Sequence, residues 1–341
     1  MSAAPEILSL GEALEALASP DSNERFSTAT GAPLLVVDWP GAGEGGDDAR
    51  LDVAVERLSS LACVTAVVAR ATGPAELGPL RDAFDVCVSD GAELARVRGT
   101  VATHPMASTT FVQLLRGSQS RTVEEGLVAE SLAYSALQGG PEFLRWRAAR
   151  ARKVVPPDPD EGPVRATRAD ATLRIELNRP DRHNALSRSL RDALCEALDV
   201  ALHDPSVEAI EVMGRGPSFC SGGDLDEFGD SPDPVTAHLV RTTRSPARGF
   251  ARLAERLRVR VHGACLGAGV ELPAFAARVT ASSDARFGLP ELLLGLVPGA
   301  GGTVSLPRRI GRQATAKLAL MGGTIGAAEA LELGLIDAIE N

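Results

Sequence analysis

Two glycine-rich stretches and two glutamates are the residues of this sequence whose types and spacing can do chemistry. The first stretch is Phe219-Cys-Ser-Gly-Gly-Asp224, the second is Gly263-Ala-Cys-Leu-Gly-Ala-Gly-Val-Glu271, and a further glutamate closes Phe287-Gly-Leu-Pro-Glu291. Glycines in such turns permit positive φ and let a ligand approach the backbone, while unpaired N–H groups at a helix start attract an oxygen bearing negative charge. Two carboxylates in different surroundings can divide general-acid from general-base work. Taken singly, each feature also has a plain structural reading: a tight turn that merely packs, a helix N-terminal carboxylate at Glu271, a solvated loop residue at Glu291. A dinucleotide-phosphate reading is poorly supported, because Gly267-Ala-Gly269-Val-Glu-Leu272 does not satisfy G-x-G-x-x-G and no P-loop lysine is present.

Other candidates carry less. His183, His238 and His262 fall in no pattern joining an acid to a serine, which argues against a hydrolase triad. The cysteines, Cys63, Cys87, Cys195, Cys220 and Cys265, are odd in number and form no C-x-x-C pair, so neither a disulfide framework nor a zinc site is expected. Cys220 and Cys265, inside the two glycine-rich turns, read as packing residues.

The elements that must position these residues follow from periodicity. Ala171 to Leu177 reads as a strand, Ser187 caps a helix that stops at Asp204-Pro205, and Val207 to Met213 is a second strand before the first glycine-rich turn. Leu257, Val259 and Val261 alternate with Arg258, Arg260 and His262 as a third strand, which the second glycine-rich turn and a helix follow at once.

Toward the N-terminus, Pro33 to Asp38 is a short buried strand, followed by a Gly/Asp-rich loop from Gly41 to Asp48. A helix from Leu51 then leads to a strand at Val64 to Ala69, which suggests an α/β module. From Pro105 to Lys153 the pattern is helical, in two or three helices with a break at Gly117-Ser118. Val154 to Pro163 is proline-rich and acidic and reads as a linker. The expected organisation is therefore a module over 1–104, helices over 105–153, a linker over 154–163 and a second module over 164–341.

Length and composition limit the function classes. A chain of 341 residues suggests two modules; 44% hydrophobic and 23% charged residues are ordinary globular values. No apolar run approaches a membrane span and no secretory signal is evident, so a cytoplasmic protein is expected. The formal charge of −10, with no basic stripe, makes nucleic acid an unexpected partner but leaves small anionic ligands open.

The strings LNRPDRHNALS, GRGPSFCSGGDL, VHGACLGAGVEL, ARFGLPELLLGLVPGAGGTVSLPRRIG and GTIGAAEALELGLID occur in the order and approximate spacing of the enoyl-CoA hydratase/isomerase (crotonase) superfamily, which the C-terminal half therefore resembles. The resemblance implies an α/β fold, a crotonase-like ββα spiral core, with acyl-CoA held between turns. It puts the thioester-binding oxyanion donors on the backbone N–H groups of Gly223 and Ala268, and it matches Glu271 and Glu291 to the paired glutamates of the hydratases. Water activation is assigned mainly to Glu271 and α-carbon proton transfer to Glu291. Asn184, Ala185, Asp224 and Leu225 fall on the family's CoA-binding stretches, with Asp224 chiefly ordering its turn.

The implied activity is 2-enoyl-CoA hydration, with double-bond isomerisation, cofactor-free oxygenation and non-catalytic acyl-CoA binding as alternatives. The resemblance implies no metal, no cofactor beyond the CoA of the substrate, and a homo-oligomer, trimer or hexamer.

Three departures from the family carry expectations of their own. Pro273 falls where the helix after Glu271 should continue, so a kink there would displace the glutamate. Asp226 stands near a position where many members carry a CoA-binding lysine, for which Arg182 or another basic group is the expected substitute. The sequence ends at Asn341, where the family's C-terminal helical tail begins, and residues 105–153 resemble that tail placed before the core. The expectation is a tandem chain whose first, degenerate copy supplies a helical cap; the alternative is an unrelated α/β extension.

Overall fold

The structure, a computed structural model, describes residues 6–39, 48–69, 78–151, 153 and 157–340. It divides into two compact units: Met1–Gly117 with Arg312–Gly322, and Ser118–Gly311 with Gly323–Asn341. Residues 41–47 of the expected Gly/Asp-rich loop and 154–156 of the expected linker lie outside the described residues. Among the described residues no helix is long and apolar enough to cross a membrane.

The first unit is built on β1 (Ile7–Ser9), β2 (Leu34–Trp39), β3 (Val64–Ala69) and β4 (Val86–Val88), all parallel and ordered β1-β2-β3-β4. The inner strands are apolar along nearly their whole length because helices cover both faces of such a sheet. Val36, Val37, Val64, Ala66 and Val67 are accordingly fully buried. A capping box at Ser9 and Glu12 starts the helix Leu10–Ala18, whose Leu10, Leu14 and Leu17 enter the same core. The helices Pro105–Arg116 and Arg312–Leu320 also belong to this unit.

The second unit opens with β5 (Val164–Ala169) and β6 (Thr172–Leu177), an antiparallel hairpin, followed by the helix Arg188–His203, β7 (Ala209–Gly214) and β8 (Leu257–Val261). Then come β9 (Ala264–Leu266), β10 (Arg278–Ala281), β11 (Arg286–Gly288), β12 (Ile325–Gly326) and β13 (Ala338–Ile339). They form a six-stranded sheet, β13-β10-β8-β7-β6-β5, and a three-stranded sheet, β12-β11-β9.

Consecutive strands thus part company: β8 and β10 pair in the larger sheet while β9 and β11 pair in the smaller one, each β9 and β11 leading into a short helix. This is a ββα repeat. The expected direct passage from β8 into a helix misses β9, a three-residue strand too short to show a period. The helices Val123–Gln138 and Pro141–Ala149 belong to this second unit.

Candidate active site

The smaller sheet brings the two glutamates together. β9 and β11 are parallel and in register, with Leu266 opposite Gly288, so the segments leaving their C-terminal ends emerge side by side. One enters the single helical turn Ala268–Glu271 and the other the 3-10 turn Glu291–Leu294. Residues twenty positions apart thereby face one cavity of about 200 Å³. The first glycine-rich turn joins them through backbone pairing of Cys220 with Cys265 and of Gly223 with Leu186.

Gly223 and Ala268 both line this cavity, and among the described residues neither of their N–H groups has a protein acceptor. Gly267 makes the geometry possible. Its φ is +50°, and a Cβ there would lie 2.2 Å from Oε1 of Glu291, so the carboxylate rests directly on the glycine backbone.

Pro273 does not displace Glu271. The α-helix lasts one turn, and Pro273 occupies the first position of a separate 3-10 turn, Pro273–Phe275, where a missing N–H costs little. Glu271 is 2% exposed, and its Oε2 accepts from the Ala300 N–H at 2.7 Å and the Gly302 N–H at 2.8 Å.

A third carboxylate, unforeseen in the sequence, completes the arrangement. Glu130, on the helix Val123–Gln138, accepts from the Gly301 N–H at 2.7 Å, the Thr303 N–H at 2.8 Å and the Thr303 hydroxyl at 2.7 Å. The four successive N–H groups from Ala300 to Thr303 therefore alternate between Glu271 and Glu130. They open the helix Gly302–Ile310, which has no local side-chain cap, so the two glutamates satisfy donors that such a start leaves orphaned. Glu291 is the exception: its buried Oε2 has no hydrogen-bond partner among the described residues.

Burial governs the protonation of all three, and none has an ion-pair partner among the described residues. It raises Glu271 well above the ordinary carboxyl value, helped by repulsion from Glu291 and Glu130. Glu291 is pushed up to about 8 by burial, with Glu130 adding to the effect. In Glu130 burial prevails over the hydrogen bonds from Thr303 and Gly301 and brings the carboxyl to about 7. Sites this close share their charge and titrate together, with the two backbone donors on Glu271 acting in favour of its charged form.

The remaining expected contacts divide. Asp224 lines the cavity, but its carboxylate is held by Arg179 at 3.2 Å and Arg182 at 2.8 Å. Asn184 is fully buried with its amide spent on the Arg179 N–H and the Arg215 and Ser218 carbonyls, and neither it, Ala185 nor Leu225 lines the cavity. Their neighbours Leu186 and Ser187 do. Arg182 is not free to replace a CoA-binding lysine, since it also pairs with Asp226 at 2.8 Å.

Cys220 and Cys265 are buried; burial raises both thiols, Cys220 to about 12, and keeps them protonated. His183, His238 and His262 bond to Ser218, Ser131 and the Gly216 carbonyl, respectively. Tyr134 and Arg241, also missed by sequence reasoning, line the cavity from the helices Val123–Gln138 and Pro234–Thr243.

Half of this chain is similar to known proteins. The chain is 36% identical over 173 residues to 2,3-dehydroadipyl-CoA hydratase of Escherichia coli, a match covering 50% of this chain and 66% of that protein. It is 35% identical over 175 residues to a mevalonyl-coenzyme A hydratase of Beauveria bassiana, covering 49% and 62%. The chain thus spans less than two thirds of the length of either relative. A crystal structure of enoyl-CoA hydratase from Mycobacterium smegmatis aligns with a TM-score of 0.48 at 31% identity, covering 52% of this chain and 69% of that one. The sequence profile of enoyl-CoA hydratase/isomerase matches residues 167–340, half of the chain. The chain belongs to the enoyl-CoA hydratase/isomerase family.

Proposed function

We propose that the protein adds water across the α,β double bond of a 2-enoyl-CoA thioester. The observation that carries this reading is the convergence of two unpaired backbone N–H groups, Gly223 and Ala268, with Glu271 and Glu291 on one cavity. Attack on an enoyl thioester moves charge onto the thioester oxygen. Two fixed donors stabilise that charge without reorganising, an effect worth about 3 kcal/mol per donor.

Glu271, whose carboxylate is held in place by two backbone donors, takes a proton from water as the water oxygen bonds to the β-carbon. Glu291, neutral at pH 7 because burial holds its carboxyl near 8, gives its proton to the α-carbon. One proton enters and one leaves the pair, so the cycle closes when it passes back between the carboxyls. The reaction moves only water and protons, and needs no redox group or metal beyond the CoA of the substrate.

The helix Val123–Gln138, which supplies Leu127, Glu130 and Tyr134 to the cavity wall, is read as the cap. A homo-oligomer remains the reading from the family, testable by light scattering on the eluting protein. To test the activity, a panel of trans-2-enoyl-CoA thioesters is incubated with the protein and analysed by mass spectrometry. The expected product gains one water, at a rate that E271Q lowers by about 10²–10⁴-fold. A product of unchanged mass with a moved double bond would establish isomerisation instead.

A further inference from the structure

The cavity is lined by Arg188, Arg191, Arg241, Arg244 and Arg248. Four of these have carboxylate partners: Arg188 with Asp230 at 3.5 Å, Arg191 with Asp192 at 2.8 Å, Arg244 with Glu196 at 3.9 Å and Arg248 with Glu124 at 2.8 Å. Arg241 has none among the described residues. Its Nε donates to Ser131 Oγ at 3.2 Å, Nη1 to Gln138 Oε1 at 3.2 Å, and Nη2 to the Ser131 carbonyl at 3.2 Å and to Ser135 Oγ. All these partners are neutral. The guanidinium also lies over the Tyr134 ring, 4.6 Å from its centroid, so its plane is held from two sides.

A guanidinium has five N–H donors, and four are used here, which leaves one on Nη1. Gln138, also on the cavity wall, accepts from Arg241 through its Oε1, and its NH₂ has no acceptor among the described residues. Burial already works against the charge of Arg241, and Glu130, the carboxylate that opposes this effect, has both oxygens engaged by Gly301 and Thr303. A methyl-ended acyl chain laid against this wall would strip water from the cation and return nothing. A carboxylate would pair with it and take the remaining donors.

Position fits as well. Glu130 stands at the reacting loop, and the segment Ser131–Gln138 that grips Arg241 runs up to about 12 Å beyond it along the helix axis. An acyl chain whose thioester sits at Gly223 and Ala268 can point its far end along that segment.

We propose that the acyl group this protein takes ends in a carboxylate, bound by Arg241 and Gln138, so that its ligands are CoA monothioesters of dicarboxylic acids. This rests on the acyl-CoA reading above. The test compares adipyl-CoA with hexanoyl-CoA, which share a six-carbon chain, carry no double bond and report binding without turnover.

Calorimetry on the wild-type protein is expected to find adipyl-CoA the tighter by about 10-fold or more. R241M should bring the ratio near one, and R241K, which keeps the charge but not the fork, should leave it between. Equal affinities in the wild type, tighter hexanoyl-CoA, or no binding of either would overturn the proposal. So would R241M weakening both ligands and free CoA alike, since Arg241 would then be holding the CoA phosphates. Preference for adipyl-CoA without hydration of any enoyl-CoA would instead overturn the proposed activity and leave the carboxylate site standing.

Discussion

The buried carboxylates of this chain are treated in two opposite ways, one seen at Asp85 of the first unit and at Asp224 of the second, the other at the cavity of the second unit. In the first unit Asp85, 1% exposed, pairs with Arg116 at 2.7 Å and Arg312 at 3.3 Å and accepts from the Thr65 N–H at 2.8 Å. In the second unit Glu130, Glu271 and Glu291 are as thoroughly enclosed, yet none has an ion-pair partner among the described residues, and Glu291 has an oxygen with no partner of any kind. A carboxylate paired with two guanidinium groups ties chain segments to one another. Carboxyls held only by amides, hydroxyls and one another are pushed above the ordinary carboxyl range, to about 7 in Glu130 and about 8 in Glu291. The first arrangement ties a fold together; the second is suited to proton transfer.

The contrast is broken if either carboxylate type behaves like the other. The largest effect belongs to the catalytic pair. E291Q is isosteric, so it should remain folded while lowering hydration by about 10²–10⁴-fold, read from steady-state rates. D85A is next and falls on stability: it strands Arg116 and Arg312, and should cost about 3–5 kcal/mol in urea unfolding of the first unit.

Proton linkage gives a third, smaller effect. Glu291 binds its proton more tightly folded, near 8, than at its ordinary 4.5, so the native state holds more protons between those values. The stability this contributes is complete below pH 4.5 and is lost as pH rises to about 8, at up to about 1.4 kcal/mol per pH unit. Urea midpoints from pH 5 to 8 should therefore fall less steeply in E291Q than in the wild type. Activity shares the upper limit, because a deprotonated Glu291 has no proton to give: the rate should decline above about pH 8. The smallest effect comes from T303V, which removes one of three donors to Glu130 and should cost about 1 kcal/mol in the second unit.

How much of this was legible in the sequence depended on where each signal lay. Gly223, Ala268, Glu271 and Glu291 could be singled out because the blocks that carry the family resemblance are local in the sequence; the residues alone left the plain turn and helix-end readings open, and the structure brings all four to one cavity. Glu130 was not. It sits in a helix among other glutamates and looks like a solvated surface residue until the chain folds back 171 residues to Gly301. Arg241 was obscured in the same way, its partners lying 103 to 110 positions earlier.

Asn184 shows the converse. It was expected to meet CoA, but its φ of +52° and a saturated amide mark it as a turn-forming residue, a distinction that depends on backbone conformation. β5 escaped notice because an outer strand of sequence VRATRA is mostly exposed and has no buried face to set an alternation.

The most direct test follows a single turnover of trans-2-enoyl-CoA thioesters, one methyl-ended and one carboxylate-ended, in water carrying both heavy oxygen and deuterium. The account predicts heavy oxygen on the β-carbon and deuterium on the α-carbon of the wild-type product, with E271Q and E291Q each slowing both by at least about 10²-fold while remaining folded. Hydration that continues unchanged in E291Q, or deuterium incorporation without any oxygen, would contradict it.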